Sequence, residues 1–315
     1  MEAKKVRIGT RGSALALWQA RHIALRLNEE LGIASEIKII KTKGDEILDA
    51  PLAKIGGKGL FTKELEESLL RGEIDIAVHS LKDVPLEFVP TLGLACITKR
   101  EDARDCFLSY KYPSLQDLPP SARVGTTSLR RSMQLKALRG DLRTQSLRGN
   151  ILTRLERLKN GDFDAIVLAK AGLNRLDTAT EGVAFVRAFE IEEILPAMGQ
   201  GALGIEARLS DELFARLKAL EDRETALCSR IERDFVRTLE GGCQVPIGVH
   251  ARVVGESVRV EAMVGLPNGK KILRDSLESP QNGSEEMGIL LARRMIEKGA
   301  LEILKEAHEI AWQDL

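Results

Sequence analysis

The chain has 315 residues, of which 43% are hydrophobic and 30% are charged. This composition excludes a disordered protein, and the length exceeds what one hydrophobic core usually organises, so we expect two or three domains. Basic and acidic residues number 47 each, and the formal net charge of zero argues against a protein devoted to nucleic acid or anionic lipid.

The predicted elements alternate between strand and helix over the first 100 residues. Apolar runs predict four strands, over residues 6–10, 36–41, 74–79 and 92–97. Apolar residues at helical spacing predict two helices, over residues 13–30 and 61–70. Residues 43–59 are polar and glycine-rich, which is typical of a mobile loop. The alternation indicates an α/β lobe with a largely parallel sheet.

The second hundred residues repeat this plan. Arg7-Ile-Gly-Thr10 recurs as Arg123-Val-Gly-Thr126, and each copy precedes a serine and an amphipathic helix. Residues 72–78 and 161–167 also match in chemical type, in the same order. We therefore expect a second α/β lobe, with a ligand-binding cleft between the two lobes.

Beyond residue 200 the pattern changes. Helices are predicted over residues 210–220 and 225–239, strands over residues 249–254 and 258–264, and helices again from residue 285 onward. Segregated strands and helices are typical of an α+β domain, so we expect a third, smaller domain of that class.

The sequence shows no targeting segment and no metal-binding pattern. No apolar stretch approaches the roughly 18 residues of a membrane span, and the N-terminal residues contain no signal-peptide core, so we expect a cytoplasmic protein. The four cysteines are too few for a disulfide framework and lack CxxC spacing. The four histidines show no metal-ligand spacing, and no metal site is predicted.

The segment from Arg123 to Arg157 contains eight arginines and one lysine against two acids. A solvated helix face with i,i+4 ion pairs is one interpretation, but only Asp141 and Glu156 are available as partners within the segment. The alternative is a carboxylate or phosphate site, because arginine binds such groups bidentately. Nucleic acid is a rival ligand, but the segment contains no aromatic residue for base stacking.

Two strand-to-helix turns, Gly9-Thr-Arg-Gly-Ser13 and Gly125-Thr-Thr-Ser128, place backbone N–H groups and hydroxyls at helix N-termini, where anions bind. Ser13 and Ser128 can equally be ordinary N-caps. Neither turn has the glycine spacing of a dinucleotide or P-loop site. As a pair at equivalent points of two lobes, the turns fit a small molecule with several negative charges.

Lys82 and Asp83 follow the strand over residues 74–79, at its carboxyl end, where α/β folds bind their ligands. The pair can be a surface feature, or Asp83 can serve as counter-ion or proton relay for a developing cation. Cys243 follows two glycines, which permit close approach of another group. Its spacing alone favours a buried structural cysteine, because no activating base is nearby.

Six motifs occur in order between about residue 6 and residue 250. They are Arg7-Ile-Gly-Thr-Arg-Gly-Ser-Ala-Leu-Ala-Leu-Trp-Gln19, His79-Ser-Leu-Lys-Asp-Val-Pro85, Val124-Gly-Thr-Thr-Ser-Leu-Arg-Arg131, Arg148-Gly-Asn150, Pro196-Ala-Met-Gly-Gln-Gly-Ala202 and Glu240-Gly-Gly-Cys243. In these motifs the chain resembles the porphobilinogen deaminases, also called hydroxymethylbilane synthases. The resemblance implies a transferase of haem and tetrapyrrole biosynthesis that condenses four porphobilinogen molecules head to tail. It would release ammonia and yield the linear tetrapyrrole hydroxymethylbilane.

The same resemblance implies a dipyrromethane cofactor, made of two substrate units and covalently attached through a thioether to Cys243. Asp83 would be catalytic, because it would bind pyrrole N–H groups, stabilise the cationic species formed on deamination and assist proton transfer. The implied cofactor-binding residues are Cys243, Lys82, Asp83, Ser80, Thr126, Ser128, Arg130 and Arg131. The implied substrate-binding residues are Arg11, Ser13, Gln19, Arg148, Arg154 and Arg175. Because each pyrrole brings two carboxylates, such ligands would explain the arginine-rich segment without nucleic acid.

The implied fold is α/β, with two lobes similar to periplasmic binding proteins, a smaller α+β C-terminal domain, and a chain that returns to the first lobe. The domains would be residues 1–98 with 200–219, residues 99–199, and residues 220–315, which include the cofactor cysteine. The resemblance also implies a monomer that binds porphobilinogen and neither nucleic acid nor membrane. The alternative is a non-enzymatic two-lobed protein that binds a polycarboxylate ligand and leaves Cys243 unmodified.

Overall fold

The computed structural model describes residues 5–46, 62–240 and 245–313. Cys243 and most of the stretch predicted to be a mobile loop, from residue 47 onward, lie outside these ranges. The described residues form two compact units. The first contains residues 5–46, 62–101 and 201–226, and the second contains residues 102–200, 227–240 and 245–313. The division into three domains, with the boundaries given above, stays a prediction.

The described residues contain thirteen strands and ten α-helices. The strands are β1 (Val6–Thr10), β2 (Ser35–Ile39), β3 (Ile76–Ser80), β4 (Leu92–Ile97), β5 (Asp105–Ser109), β6 (Arg123–Gly125), β7 (Arg143–Gln145), β8 (Ala165–Ala169), β9 (Phe185–Ala188), β10 (Leu203–Arg208), β11 (Ile247–Val254), β12 (Ser257–Gly265) and β13 (Ile272–Pro280). The helices are α1 (Ala14–Leu31), α2 (Lys43–Glu46), α3 (Lys63–Leu70), α4 (Leu129–Leu138), α5 (Ile151–Lys159), α6 (Lys170–Arg175), α7 (Glu212–Leu217), α8 (Arg223–Thr238), α9 (Met287–Glu297) and α10 (Ala300–Gln313).

The first unit is built on a five-stranded sheet in the order β2-β1-β3-β10-β4. β2, β1 and β3 pair in parallel, whereas β10 is antiparallel to both of its neighbours. Helix α1 covers one face with the buried Ile23 and Leu27, and α3 covers the other face with the buried Leu65 and Leu69. The expected parallel sheet is therefore confirmed for three adjacent strands, and β10 adds an antiparallel strand from beyond residue 200.

The second unit contains a sheet of the same design, in the order β7-β6-β8-β5-β9. In both sheets the backbone of the motif arginine forms two hydrogen bonds to a later aspartate, one to its side chain and one to its amide. The Arg7 amide donates to Asp75 Oδ2 at 2.9 Å, and the Asp75 amide donates to the Arg7 carbonyl at 2.8 Å. In the second sheet the Arg123 amide donates to Asp164 Oδ2 at 2.7 Å, and the Asp164 amide donates back at 2.9 Å. The internal repeat predicted from the sequence is thereby confirmed.

The glycine shared by the two repeated motifs has a packing reason. A Cβ atom on Gly9 would lie 2.2 Å from Ile74 Cδ1, and one on Gly125 would lie 3.0 Å from Phe163 Cδ1. Ile74 and Phe163 occupy equivalent positions in the second pair of matching segments, residues 72–78 and 161–167. The two repeated segments therefore pack against each other in the same way in both sheets.

The C-terminal part of the second unit contains an antiparallel sheet in the order β11-β12-β13, together with α9 and α10. The predicted α+β composition is confirmed, but β13 was not predicted. It is an edge strand whose residues alternate between partly buried and exposed, with Asp275, Ser276 and Glu278 among them. A polar edge strand lacks the strong apolar alternation by which strands are recognised. None of the helices in the described ranges has the length and apolarity needed to cross a bilayer.

Candidate active site

A pocket of about 90 Å³ lies in the first unit, where β1 and β3 end. Such carboxyl ends of parallel strands are where α/β folds usually bind ligands. Five residues predicted from the sequence line this pocket: Arg11, Ser13, Gln19, Ser80 and Asp83. The structure therefore brings together the predicted residues of the first unit, with the exception of Lys82, which is half-buried in the turn beside Asp83.

The pocket residues are positioned by the turns that follow the two strands. The Ser13 hydroxyl caps α1 by accepting a hydrogen bond from the Ala16 amide at 3.3 Å. Gln19, one turn further along α1, donates through Nε2 to Ser80 Oγ at 2.9 Å. Asp83 lies in the 3₁₀ turn Leu81–Asp83 directly after β3 and is exposed. The pocket thus combines an accessible carboxylate with a guanidinium group and several neutral polar groups.

His79 also lines this pocket, although no role was predicted for it from the sequence. Its imidazole is buried, and Nε2 lies 3.0 Å from Oε2 of Glu206, a side chain of β10 with no exposed surface. The two residues are 127 positions apart in the chain, so the contact could not be predicted from the sequence and becomes visible in the pairing of β3 with β10.

In the second unit, four predicted cofactor-binding residues lie at the turn between β6 and α4. The Ser128 amide donates to Thr126 Oγ1 at 3.2 Å, and the Ser128 hydroxyl caps α4 by accepting from the Arg131 amide at 3.4 Å. The N-cap interpretation is therefore confirmed for both Ser13 and Ser128. A capping hydroxyl has one hydrogen-bond acceptor position in use and its O–H still available as a donor.

Arg130 and Arg131 are buried at the start of α4, with side chains 5% and 7% exposed. Arg130 Nη1 and Arg131 Nη2 each lie 2.7 Å from the carboxylate of Asp105 in β5, which also accepts from Gln200 Nε2 at 3.0 Å. Burial alone would raise the pKa of Asp105, but the two guanidinium charges outweigh it and hold that pKa well below its usual range. We call Asp105, Arg130 and Arg131 the Asp105 cluster; one of its two positive charges is balanced by Asp105.

The remaining predicted residues of the second unit follow the neighbouring strands. Arg148 comes after β7, and Arg154 in α5 donates through Nε to the Gly149 carbonyl at 2.8 Å. Arg175 ends α6, the helix that directly follows β8. All three arginines are half-buried. Arg148 and Arg154 lie in the segment after β7, and Arg175 lies in the segment after β8, two strands that flank β6 in one sheet.

The ion-pair partners of the arginine-rich segment are not limited to the two acids within it. Arg123 pairs with Asp164 at 3.6 Å and Arg157 with Asp162 at 2.8 Å, both from the turn before β8. The Asp105 cluster adds a third acid from outside the segment. The expectation that only Asp141 and Glu156 are available as partners is therefore wrong, because the turn before β8 and strand β5 supply three further aspartates.

Cys243, the predicted cofactor attachment site, lies outside the described residues. The cysteines within them, Cys96, Cys106 and Cys228, are buried and form no disulfide with one another. Burial raises the pKa of the Cys96 thiol to about 12 and that of the Cys106 thiol to about 11. These two thiols are poor nucleophiles, because the thiolate is the reactive form.

Comparison with known proteins decides the family. Residues 6–216 match the family described as porphobilinogen deaminase, dipyromethane cofactor binding domain, and residues 226–297 match the porphobilinogen deaminase C-terminal domain. The chain belongs to the porphobilinogen deaminase family. Porphobilinogen deaminase from Helicobacter hepaticus is 58% identical, over 97% of this chain and 96% of the relative. That from Campylobacter concisus is 54% identical, over 98% of this chain and 100% of the relative.

Among solved structures, a periplasmic substrate-binding protein of an ABC transporter from Coxiella burnetii is similar to this chain. The identity is 14% and the TM-score is 0.44, and the match covers 70% of this chain and 94% of that chain.

The cofactor of this family is dipyrromethane, and the residues of the second unit fit such a group. A dipyrromethane made of two porphobilinogen units bears carboxylates, and arginine is the side chain best suited to bind them. The Asp105 cluster contains two buried guanidinium groups for one carboxylate, so an anionic ligand would balance the second charge. The hydroxyls of Thr126 and Ser128 beside the cluster add neutral polar groups.

Proposed function

We propose that this chain is a hydroxymethylbilane synthase, a transferase that condenses four porphobilinogen molecules head to tail, releases ammonia and forms hydroxymethylbilane for tetrapyrrole biosynthesis. The single observation that supports this best is the pocket of the first unit, lined by the exposed Asp83 carboxylate and by the Arg11 guanidinium. A pyrrole that loses its amino group becomes positively charged, and a carboxylate fixed beside it stabilises that charge. The guanidinium group binds the carboxylates of the substrate.

In this proposal Asp83 is the catalytic residue. Its carboxylate accepts a hydrogen bond from the pyrrole N–H and stabilises the positive charge that develops when ammonia leaves. The acetate and propionate groups of the substrate and the growing chain are bound by the cationic and polar side chains Arg11, Ser13, Gln19, Arg148, Arg154 and Arg175. These contacts orient the reacting carbon, which accelerates a bond-forming step between two bound molecules.

The dipyrromethane is held, in this proposal, through a thioether to Cys243 and through its carboxylates. The residues that hold it are Ser80, Lys82, Asp83, Thr126, Ser128, Arg130 and Arg131. When bound, the dipyrromethane supplies the ring carbon to which the first porphobilinogen is joined. Arg130 and Arg131 bind its carboxylates, and Asp105 keeps the two guanidinium groups in fixed positions through its hydrogen bonds to both.

We also propose that the enzyme acts as a cytoplasmic monomer on a small-molecule substrate, without nucleic acid or membrane. Balanced net charge and the motif series support this part of the proposal. Its three-domain organisation, with boundaries near residues 99, 200 and 220, is part of the same proposal.

The decisive experiment is the intact mass of the purified protein. We expect the wild-type mass to exceed that of the bare chain by two pyrrole units, and the excess to be absent from Cys243→Ser. Cys228→Ser, which changes a buried cysteine instead, should retain the excess and serves as the control. Addition of porphobilinogen to wild-type protein should then release ammonia and hydroxymethylbilane. An unmodified mass that porphobilinogen does not change, with no ammonia released, would favour the binding-protein alternative.

A further inference from the structure

Behind the pocket of the first unit lies a buried group of ionisable side chains that the proposed function does not use. His79 and Glu206 are hydrogen-bonded at 3.0 Å, and their side chains are 5% and 0% exposed. In the register of the sheet Ala77 of β3 lies opposite Glu206 of β10. His79 is two residues from Ala77 and therefore lies on the same face as Glu206, close enough for a diagonal contact. We call His79 and Glu206 the His79 pair.

A second carboxylate, half-buried, accompanies the His79 pair. Glu66 in α3 lies on the same side, where burial and the charge of Glu206 raise its pKa. Within the described residues, Oε1 of Glu66 and Oε1 of Glu206 are buried and have no hydrogen-bond partner. Removal of a carboxylate from water disfavours its charged form, so Glu66 retains its proton more readily than an exposed carboxylate does.

Of these ionisable groups, His79 lines the same pocket as Asp83. The other charged groups of that pocket, in the described residues, are Arg11 and Asp83. Arginine does not release its proton in proteins. Asp83 has to remain an anion if it is to stabilise a positively charged ring. Histidine is the side chain whose charge changes most readily near neutral pH.

Each addition in the proposed reaction needs a proton donor and a proton acceptor, and one group can serve as both. The substrate C–N bond breaks and its electron pair goes to nitrogen, which takes up a proton to leave as ammonia. The new C–C bond forms at a ring carbon, and the C–H electrons of that carbon return to the ring as its proton is lost. One proton is therefore consumed and one is released in every addition, with no oxidant or reductant involved.

We propose that His79 is a second catalytic residue of this site and that it exchanges the protons of each addition, with Glu206 as the positioning residue that orients its imidazole. This rests on the proposed function. The imidazole gives its proton to the departing nitrogen and regains one from the ring carbon, so it returns to its starting state after each addition. Asp83 then remains an anion throughout. Among the described residues, Arg11, Asp83, Glu66 and Glu206 set the electrostatic environment of the imidazole.

The test is the pH dependence of kcat for wild type, His79→Gln and Glu206→Gln. Loss of a general acid–base group lowers rates by roughly 10²–10⁴-fold, and we expect a loss in that range for His79→Gln. We also expect the limb of the pH profile between about pH 5 and 8 to flatten, because glutamine does not titrate. Glu206→Gln keeps a hydrogen-bond partner for the imidazole but removes the charge, so it should shift that limb and lower kcat less.

The matched control is His250→Gln. His250 is also a buried histidine beside a fully buried glutamate, with Nδ1 3.5 Å from Glu232 Oε1, but it belongs to the second unit. We expect its pH profile to keep the wild-type shape. Intact masses establish that all variants contain the same cofactor. A His79→Gln enzyme that is unchanged, or slower by the same factor at every pH, would overturn the proposal and indicate a structural role.

A second measurement does not depend on turnover. The ¹⁵N shifts of the His79 imidazole, followed by NMR in the full-length protein, should change with pH over the range in which the wild-type kcat profile bends. Glu206→Gln should alter this titration. Constant shifts across that range would overturn the proposal even if the variants fail to fold. A wild-type enzyme that releases no ammonia from porphobilinogen refutes the proposed function itself, whereas an active wild type with an unaltered His79→Gln refutes only the role of His79.

Discussion

Replacement of Asp105 by asparagine tests how much the second unit depends on the Asp105 cluster. The Asp105 carboxylate accepts three hydrogen bonds from the two arginines and one from Gln200. Asparagine keeps one acceptor oxygen, but it places an NH₂ group where a guanidinium now donates. Arg130 and Arg131, each under a tenth exposed, then lack a balancing charge.

We expect Asp105→Asn to destabilise the second unit by about 3–5 kcal/mol, the usual cost of removing one partner from a buried ion pair. Asp162→Asn is the matched control in the same unit. Its ion pair with Arg157, at 2.8 Å, has both side chains about two-fifths exposed, and exposed pairs contribute at most about 1 kcal/mol.

Because the chain has two units, the assay has to report locally rather than assume one global transition. Amide hydrogen exchange in β5 and α4 measures the free energy of opening around the cluster, and urea unfolding provides a second measure. A loss below about 1 kcal/mol, or equal losses in the two variants, would refute this account of the cluster.

The pH dependence of the same cluster has a definite sign. The folded pKa of Asp105 is lowered, so its contribution to stability is fully present above the unfolded value, about 3.9, and is lost as the pH falls through the folded value. Hydrogen exchange in β5 should therefore show no loss of this contribution between pH 7 and pH 5. A loss of stability between pH 7 and pH 5 that Asp105→Asn does not show would contradict the lowered pKa of Asp105.

Three further outcomes follow from the structure. Asp83→Ala should abolish hydroxymethylbilane formation without lowering the unfolding temperature, because Asp83 is exposed; near-normal turnover would remove it from catalysis. Gly125→Ala should lower the free energy of unfolding in urea by roughly 1–3 kcal/mol, because the new Cβ would meet three side chains at 2.9–3.0 Å. Gly140→Ala is the control, because a Cβ has space there, and an equal loss of free energy in the two variants would contradict this account. Cys96 and Cys106 should resist iodoacetamide at about pH 8 in the native protein, since burial raises the pKa of each thiol; rapid labelling seen by mass would contradict their burial.

Features encoded within a short stretch of chain were predictable from the sequence. The repeat of Arg7-Ile-Gly-Thr10 at residues 123–126 indicated two sheets of the same design, which the strand orders confirm. Ser13 and Ser128 were recognisable as possible caps because an N-cap contacts an amide only three residues away. The turn containing Asp83 was located by the apolar strand before it.

Contacts between distant residues were not predictable from one sequence. Asp105 meets Arg130 across 25 positions and Glu206 meets His79 across 127, and no local pattern specifies such pairs. The one available signal was an acidic residue at the start of an otherwise apolar segment, as in Asp105-Cys-Phe-Leu-Ser109. A charge in a buried strand requires a partner, but the sequence does not say which residue that partner is.

β10 is the strand between β3 and β4, yet it is translated about 100 residues after β4. A ribosome that adds roughly 5–20 residues per second needs roughly 5–20 seconds to deliver it. During that interval β3 and β4 lack the neighbour to which both are hydrogen-bonded, and unpaired strand edges readily associate with other chains. The second sheet differs, because its corresponding strand β5 is translated first and its last strand, β9, ends at Ala188. The nascent polypeptide therefore completes its second sheet before its first, and β3 and β4 present unpaired edges until β10 has been synthesised.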